Sequence, residues 1–301
     1  MNSGSAPVTL SNVSKTTDNY GFAYATPTAG TQTGTYSVDG CLGACSNRNQ
    51  YEYTFSGNLR NAPAITAAGV VNAGSAASGS PIAPGSYIAI YGSGLSDTTD
   101  VTQTAKLPAA IDFVRVSFDV PSAGISVPGH LVFVSSGQVN VQVPWELQGQ
   151  TSAQVKVTID GVNGNVVTVP IANYAPAFFE IGAGVVAAID PLNASNPIIT
   201  STNAAKRGKI ISLYCNGLGP VSNQPASGDP ASTAVLAQTT TLPVVTIGGQ
   251  PAAVAFSGLT PGLPGLYQIN VTVPAGIGTG NQPVTLSIGG ATAKASGITV
   301  Q

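Results

Sequence analysis

A stretch of alternating residues occurs twice in this chain, and it constrains the fold more than any other feature. The first copy is Gln138-Val-Asn-Val-Gln-Val-Pro144 and the second is Gln268-Ile-Asn-Val-Thr-Val-Pro274. Polar and branched apolar residues alternate in both, which is the pattern of a half-buried β-strand. Proline ends each strand because it has no N–H to donate to the sheet. The chain therefore contains one β-unit twice.

Other strands match between the copies in the same order. Tyr91 in Ser86–Gly92 aligns with Tyr214 in Lys209–Cys215. Asp160-Gly161 and Gly289-Gly290 suit the positive φ angles of type I′ turns, so both copies are expected to contain a hairpin. About seven short strands per copy, with no amphipathic helix, indicate a β-sandwich of immunoglobulin type.

We therefore predict an all-β protein with tandem immunoglobulin-like β-sandwiches and an N-terminal β-rich extension. The predicted divisions are a tyrosine-rich β segment at 1–62, a first sandwich at 63–180 and a second sandwich at 181–301. The apolar connector from Tyr174 to Asp190 is expected to pack along both sandwiches.

The N-terminal segment alternates aromatic residues with small or polar ones. This pattern predicts three or four strands, at Tyr20–Tyr24, Thr35–Val38 and Tyr51–Phe55 among other places. Because so short a segment buries little apolar area, we expect it to pair with a neighbouring domain or subunit.

The charge of the chain excludes several partners. Charged residues make up 7% of the sequence and the net charge is −2, against about 25% charged residues in a typical soluble protein. No basic stripe can follow phosphates, so nucleic acid and anionic membrane are not expected partners. No apolar run approaches the ~18 residues of a spanning helix. Met1–Ser14 is polar and does not resemble a signal peptide, so a secreted form would have a leader that is absent from this numbering.

Cysteine use is compatible with export. Cys41 and Cys45 are close enough for a small disulfide loop, with two free thiols as the alternative, and Cys215 is left over. A zinc site would need more Cys or His than the chain possesses, and no cofactor is expected.

Gly182-Ala-Gly184-Val-Val-Ala187 matches the dinucleotide pattern G-x-G-x-x-A. The pattern binds phosphate only when the glycines open a helix. Pro191 and Pro197 forbid a helix of useful length, so we interpret these glycines as turn and close-packing positions.

Candidates for catalysis are few. His130 is the only histidine, and without a G-x-S-x-G elbow it is interpreted as a turn histidine with satisfied hydrogen bonds. Asp112, Asp119 and Glu146 could supply the two carboxylates of a glycosidase, but no sequence feature pairs them. Asp97–Asp100 could contact Ca²⁺, yet it lacks the ligand spacing of a known loop. Solvated loop acids are the expected outcome.

Trp145 is the only tryptophan, and the second copy has Ala275 at the matching position. Its ring could be a stacking platform for sugars, or it could close the bottom of a core. Polar residues of the repeated strand recur in both copies, which favours a structural hydrogen-bonding role for them. These residues are Gln138, Asn140, Gln268 and Asn270.

Several motifs together carry a resemblance to a known family. They are Gly69–Ser75, Ala83–Leu95, Gly137–Trp145, Ala175–Phe178, Asn216–Gly219 and Gly265–Pro274. Residues 66–301 resemble the Solibacter-type C-terminal domain of exported Acidobacteria proteins, which is similar to IPT/TIG immunoglobulin-like modules. The resemblance implies export, a β-sandwich and a structural or adhesive role, and it supplies no catalytic residues.

We accordingly expect a non-catalytic extracellular protein that self-assembles at a surface or in a filament through β-strand addition. The alternative is a cell-surface adhesion or carbohydrate-binding module with polysaccharide as its partner. An enzyme with an undetected site is a third hypothesis.

Overall fold

The computed structural model describes residues 2–4, 6, 8–14, 16–30, 32–41, 52–182, 184–193, 195 and 197–301. The chain divides into an N-terminal unit, Met1–Asn61, and a second unit, Ala62–Gln301. The described residues form strands and short 3₁₀ helices but no α-helix, so the all-β prediction is confirmed.

The N-terminal unit is a set of strands with little buried apolar area. Its strands are β1 Asn2–Gly4, β2 Val8–Ser11, β3 Thr26–Ala29, β4 Gly34–Cys41 and β5 Glu52–Leu59. One sheet has the order β1-β4-β5, and β2 pairs with β3. Among the described apolar side chains of this unit, only Ala6 and Val8 are buried.

Tyr20–Tyr24 is not a strand, contrary to the prediction. It follows a turn in which the Asp18 carboxylate accepts the N–H groups of Tyr20 and Phe22, at 2.9 and 3.0 Å. Asp18 satisfies backbone donors locally, as Asp does in turns, so the segment has no need of a sheet partner. Cys45 lies outside the described residues, and the Cys41–Cys45 disulfide stays a prediction.

The first sandwich of the second unit encloses one core between two sheets. Its sheets have the orders β6-β7-β12-β11-β8 and β10-β9-β13-β14. Val139 and Val141 alternate inward with no exposed area, and Phe118 fills the space between the sheets. Each such side chain contributes about 1.5–3 kcal/mol by leaving water. The strands are β6 Ala64–Asn72, β7 Tyr87–Ser93, β8 Asp100–Val101, β9 Val114–Val120, β10 Ile125–Pro128, β11 His130–Val134, β12 Gln138–Gln142, β13 Ser152–Ile159 and β14 Val162–Pro170, with 3₁₀ turns at Pro121–Ala123 and Trp145–Leu147.

The second sandwich has its own core between two further sheets. One has the order β15-β19-β23-β22 with β18 beside β19, and the other has the order β16-β17-β26-β24-β20-β21 with β25 beside β24. The strands are β15 Ala177–Phe178, β16 Glu180–Gly182, β17 Val185–Val186, β18 Ala188–Ile189, β19 Ile210–Asn216, β20 Val244–Ile247, β21 Gln250–Ala252, β22 Val254–Leu259, β23 Tyr267–Thr272, β24 Gly280–Ile288, β25 Ala291–Thr292 and β26 Ser296–Val300.

The connector belongs to the second sandwich. Strand β15 pairs with β19, and Phe178 lies in the second core. The second sandwich therefore begins several residues before the predicted boundary at 181. The connector also contacts the first sandwich, because the Ala175 carbonyl accepts a hydrogen bond from Asn72 Nδ2 at 2.7 Å. The prediction that it packs along both sandwiches is confirmed.

The repeat is visible in the strand register. Strand β12 pairs with β7, and β23 pairs with β19 in the same way. A bulge in the strand on the other side of each, β11 and β22, places Phe133 opposite Asn140 in the first copy and Phe256 opposite Asn270 in the second. Both predicted type I′ hairpins form, with positive φ at Asp160-Gly161 and Gly289-Gly290. The immunoglobulin-like topology of the sandwiches stays a prediction.

Candidate functional site

The contacts between the two sandwiches form a buried junction, which is the most elaborate polar site of the second unit. Its centre is Asn216, at the end of β19, with no exposed area. The Asn216 Oδ1 atom accepts the Tyr87 N–H at 2.9 Å, and its Nδ2 group donates to the Tyr87 carbonyl at 2.7 Å. The same Nδ2 group donates to Asn72 Oδ1 at 2.8 Å. These buried amides are satisfied across the junction, as most buried polar groups in proteins are.

A turn of the second sandwich docks beside this network. The Gly228 N–H donates to Gln142 Oε1 at 2.7 Å, and the Gly228 carbonyl accepts the Leu107 N–H at 2.8 Å. Gly228 has φ +82°, and a Cβ there would lie 2.3 Å from His130 Cδ2. Only glycine therefore fits this position without displacing the imidazole.

Trp145 lies at the same junction, where its burial excludes the stacking platform and confirms the alternative, that its ring closes a core. Its side chain is 3% exposed and belongs to the core of the second sandwich, although the residue follows β12 of the first. A Cβ on Gly85 would lie 2.1 Å from the indole Cη2. The backbone N–H of Trp145 donates to Ser227 Oγ at 2.9 Å, and that hydroxyl donates to Glu146 Oε2 at 2.6 Å. A ring enclosed in this way has no open face for a sugar, so it closes a core instead.

His130 is the first residue of β11 rather than a turn residue, and it is half-buried against Gly228. Its Nδ1 atom is buried with no hydrogen-bond partner among the described residues, which corrects the prediction of satisfied hydrogen bonds. Burial is the main influence on the pKa of His130 and lowers it. The charge of Lys106 lowers this pKa further, whereas the carboxylates of Glu146 and Asp229 raise it. The net effect is that the surroundings of His130 favour the neutral imidazole.

A groove of about 250 Å³ opens at the junction and is the candidate binding site. It is lined by Ala73, Tyr87, Val132, Asn140, Phe179 and Leu266, and none of them carries a charge. The Tyr87 hydroxyl donates to the Pro264 carbonyl of the second sandwich. Burial raises the pKa of Tyr87, so the phenol stays protonated and keeps this bond. Most of the lining is apolar, and small-molecule binding sites in proteins are commonly lined in this way, with a few polar groups that orient the ligand.

The repeated polar residues form the same internal bond in both copies. Gln138 Nε2 donates to Asn140 Oδ1 at 2.8 Å, and Gln268 Nε2 donates to Asn270 Oδ1 at 3.2 Å. These bonds agree with the structural hydrogen-bonding role predicted for the four residues, and they leave the Asn140 Nδ2 group available for another partner. In the second copy the Ser212 hydroxyl also donates to Asn270 Oδ1 at 2.8 Å.

The acidic candidates for catalysis take part in separate local hydrogen bonds. Asp112 accepts the Thr98 hydroxyl at 2.5 Å, and Asp119 accepts the hydroxyls of Ser117 and Ser126 at 3.0 and 2.5 Å. Asp100 Oδ1 accepts the Val101 N–H at 2.7 Å. Among the described residues, no group of three His, Cys, Asp or Glu side chains converges on a point where a metal ion would fit.

The dinucleotide-like glycines lie at the end of one strand and in the turn that follows it. Gly182 ends β16, and Gly184 turns the chain with φ +75° before β17. The described part of this segment contains no helix to hold a phosphate. A Cβ at either glycine would meet nothing within 4 Å, so the close-packing interpretation is wrong, and the turn interpretation is correct for Gly184.

Sequence reasoning missed the residues that build the junction. Asn216 aligns with Ser93 of the first copy and Trp145 with Ala275 of the second. Both positions differ between otherwise matching strands, and both side chains are buried between the sandwiches. Differences between the copies were therefore the available signal.

Within the described part of the chain, no helix has the length and apolar character needed to cross a membrane. No protein-family model matches the chain, and no curated protein matches it. A solved structure of SGBP-B from the mixed-linkage glucan utilization locus of Bacteroides ovatus, in complex with a mixed-linkage heptasaccharide, is 12% identical. The match covers 73% of this chain and 43% of that one, with a TM-score of 0.30. This chain thus spans less than half of that protein's length.

A second solved structure is the C-terminal domain of the AgI/II polypeptide BspA from Streptococcus agalactiae. It is 10% identical to this chain, and the match covers 79% of this chain and 99% of that domain, with a TM-score of 0.19.

Proposed function

We propose that this chain is a non-catalytic extracellular structural protein, a surface or filament subunit that assembles through its N-terminal unit. The observation that carries this function is the exposure of aromatic side chains on an ordered ribbon. Tyr20 is 85% exposed, Phe22 65% and Tyr24 60%. Exposed aromatic clusters of this kind mark interaction sites in soluble proteins.

The ribbon that bears these rings is held by hydrogen bonds. Beyond the β2–β3 pair, the Ser14 N–H donates to the Tyr24 carbonyl at 2.8 Å, and the Tyr24 N–H donates to Ser14 Oγ at 2.7 Å. The Asp18 turn closes the tip. A preformed tip loses less conformational entropy on binding than a flexible loop does, which favours association.

A strand edge is also available for addition. Within the described part of the chain, β5 pairs with β4 and with no other strand. Phe55 on this strand is 69% exposed. An edge of this length can pair with a strand of a second copy. If the second copy binds head to tail, the contact is heterologous and propagates as a fibre. The resemblance to an exported domain family and the low charge agree with an extracellular location.

Truncation tests this proposal. The full chain should form concentration-dependent oligomers by sedimentation velocity, and a chain of residues 62–301 should remain monomeric. A full-length variant with Phe22→Ser and Tyr24→Ser should assemble more weakly. Leu242→Ser is the matched control, because Leu242 is 70% exposed but lies in the second unit. Equal assembly of the full chain and the truncated chain would contradict the proposal.

The second candidate function is polysaccharide binding in surface adhesion, and the junction groove favours it. The groove is neutral, mainly apolar and supplied with one carboxamide. Retention of the protein on insoluble cell-wall polysaccharide, measured by a pull-down at several salt concentrations, would support this function. Complete recovery in the supernatant would contradict it.

A further inference from the structure

We propose that the junction groove binds one sugar ring of a neutral polysaccharide and that Asn140 is the residue that recognises its hydroxyl groups. The inference rests on the second candidate function and deepens it, and it does not depend on assembly through the N-terminal unit.

Asn140 lines the groove, and Gln138 lies two residues before it on the same face of β12. Gln138 Nε2 donates to Asn140 Oδ1, which fixes the orientation of both side chains. The Asn140 Nδ2 group and the Gln138 Oε1 atom then have no hydrogen-bond partner among the described residues. Both side chains are half-buried on the outer face of the sheet. A sugar hydroxyl donates and accepts hydrogen bonds, so adjacent hydroxyls match this adjacent donor and acceptor.

The apolar lining fits the other face of a sugar ring. Tyr87 and Phe179 supply aromatic surface, and Val132 and Leu266 supply aliphatic surface. Because its hydroxyl is bonded to the Pro264 carbonyl, the Tyr87 ring is fixed before any ligand arrives. Aromatic rings pack against the C–H groups of a pyranose and exclude water from them.

Charge and size restrict the ligand class further. No charged side chain lines the groove, so nothing in it would compensate an anionic sugar on desolvation. Its volume of about 250 Å³ lies below the ~300–1,000 Å³ of sites for drug-sized ligands, which favours a single ring of a longer chain. A neutral polysaccharide satisfies both conditions.

The second copy of the repeat supplies an internal control. Asn270 forms the equivalent bond with Gln268, yet it does not line the groove. The position that matches Tyr87 is Ile210, which has no aromatic ring. The two copies therefore share the amide pair and differ in the groove.

Affinity electrophoresis of the full chain tests the inference. The gels would contain barley β-glucan, galactomannan, arabinoxylan or, as the anionic comparison, polygalacturonate. We expect at least one neutral polysaccharide to retard the native protein and polygalacturonate not to do so. Asn140→Ala should weaken the retardation about tenfold, since it removes one hydrogen-bonding group from the ligand. Asn270→Ala should bind like the native chain.

A second variant distinguishes loss of binding from loss of the folded structure. Ala73→Phe places a ring at the edge of the groove and leaves the amide pair intact, so it should abolish retardation while its circular dichroism stays native. The inference is overturned if no neutral polysaccharide retards the native protein, if Asn270→Ala weakens binding as much as Asn140→Ala does, or if polygalacturonate binds more strongly. If the native protein is retained on cell-wall polysaccharide and the Asn140→Ala variant is retained equally well, the inference is overturned. The second candidate function would then still stand, with its binding site elsewhere on the chain.

Discussion

The side chain of Asn216 binds both backbone polar groups of Tyr87, at 2.9 Å to the N–H and 2.7 Å to the carbonyl. The amide of this second-sandwich residue thus forms the two hydrogen bonds with β7 of the first sandwich that the backbone of a neighbouring strand would form. Asn72 accepts a further bond from the same amide. Because these groups are buried, the junction fixes two sandwiches that could otherwise rotate about a connector.

Replacing Asn216 by alanine should lower the free energy of unfolding by about 1–3 kcal/mol, because the polar groups of Tyr87 and Asn72 lose their partner in a buried site. Chemical denaturation of residues 62–301 measures this change. Asn163→Ala is the control, since Asn163 is exposed and bonds only its neighbour Thr158 across a hairpin. A loss for Asn216→Ala no greater than that of the control would show that the network does not stabilise the junction.

Gly228→Ala should destabilise the same fragment by about 2–4 kcal/mol, because it combines a left-handed backbone with a clash against His130. Gly79→Ala separates the two causes. Gly79 has φ +72°, and an added methyl group there would meet nothing within 4 Å, so only the backbone cost of about 1 kcal/mol applies. Thermal unfolding followed by circular dichroism measures both variants, and equal losses would refute the docking of this turn against His130.

Trp145 should show the fluorescence of a buried indole, with a short-wavelength emission maximum and protection from iodide, because it is the only tryptophan and is 3% exposed. Trp145→Ala should cost about 3–5 kcal/mol, as removal of a large buried side chain does. Tyr91→Ala, at a side chain that is 45% exposed, should cost far less. Strong iodide quenching of the native protein would contradict the burial of the indole.

His130 should make stability depend on pH below its ordinary pKa of 6.5. Burial lowers the pKa of His130 in the folded state, so the unfolded state binds the proton more readily. The free energy of unfolding should therefore be highest above pH 6.5 and fall as the pH drops toward the folded pKa.

Denaturant midpoints between pH 5 and 8 would measure this slope. His130→Gln has no ionisable ring and should reduce the slope, whereas an identical slope in both proteins would exclude His130 as its origin.

The sequence predicts the repeated strands and hairpins because their signals are local. Alternation at Gln138–Gln142 and glycine at the turns each act within a few residues. The junction could not be predicted in this way, because Trp145 and Ser227 are distant in sequence and only the packing of the two sandwiches brings them together. The difference between Trp145 and Ala275 is visible in the sequence, but it left a sugar platform and a core-closing ring as alternatives and did not indicate which sandwich the ring would enter.

The strand prediction at Tyr20–Tyr24 was wrong for a related reason. Alternating aromatic residues indicate a strand only when a partner strand is present. Asp18 satisfies the backbone of this segment within a turn, which leaves the aromatic rings exposed. The Asp18 side chain was the local signal that could have corrected the prediction.

The central structural claim is that the two sandwiches of the second unit behave as one body, and differential scanning calorimetry of residues 62–301 tests it most directly. The buried junction couples the two cores, so we predict one transition whose calorimetric and van't Hoff enthalpies agree. Gly228→Ala should separate this transition into two. Two independent transitions in the unmodified fragment would contradict the claim, because they would show that the cores unfold without regard to the junction.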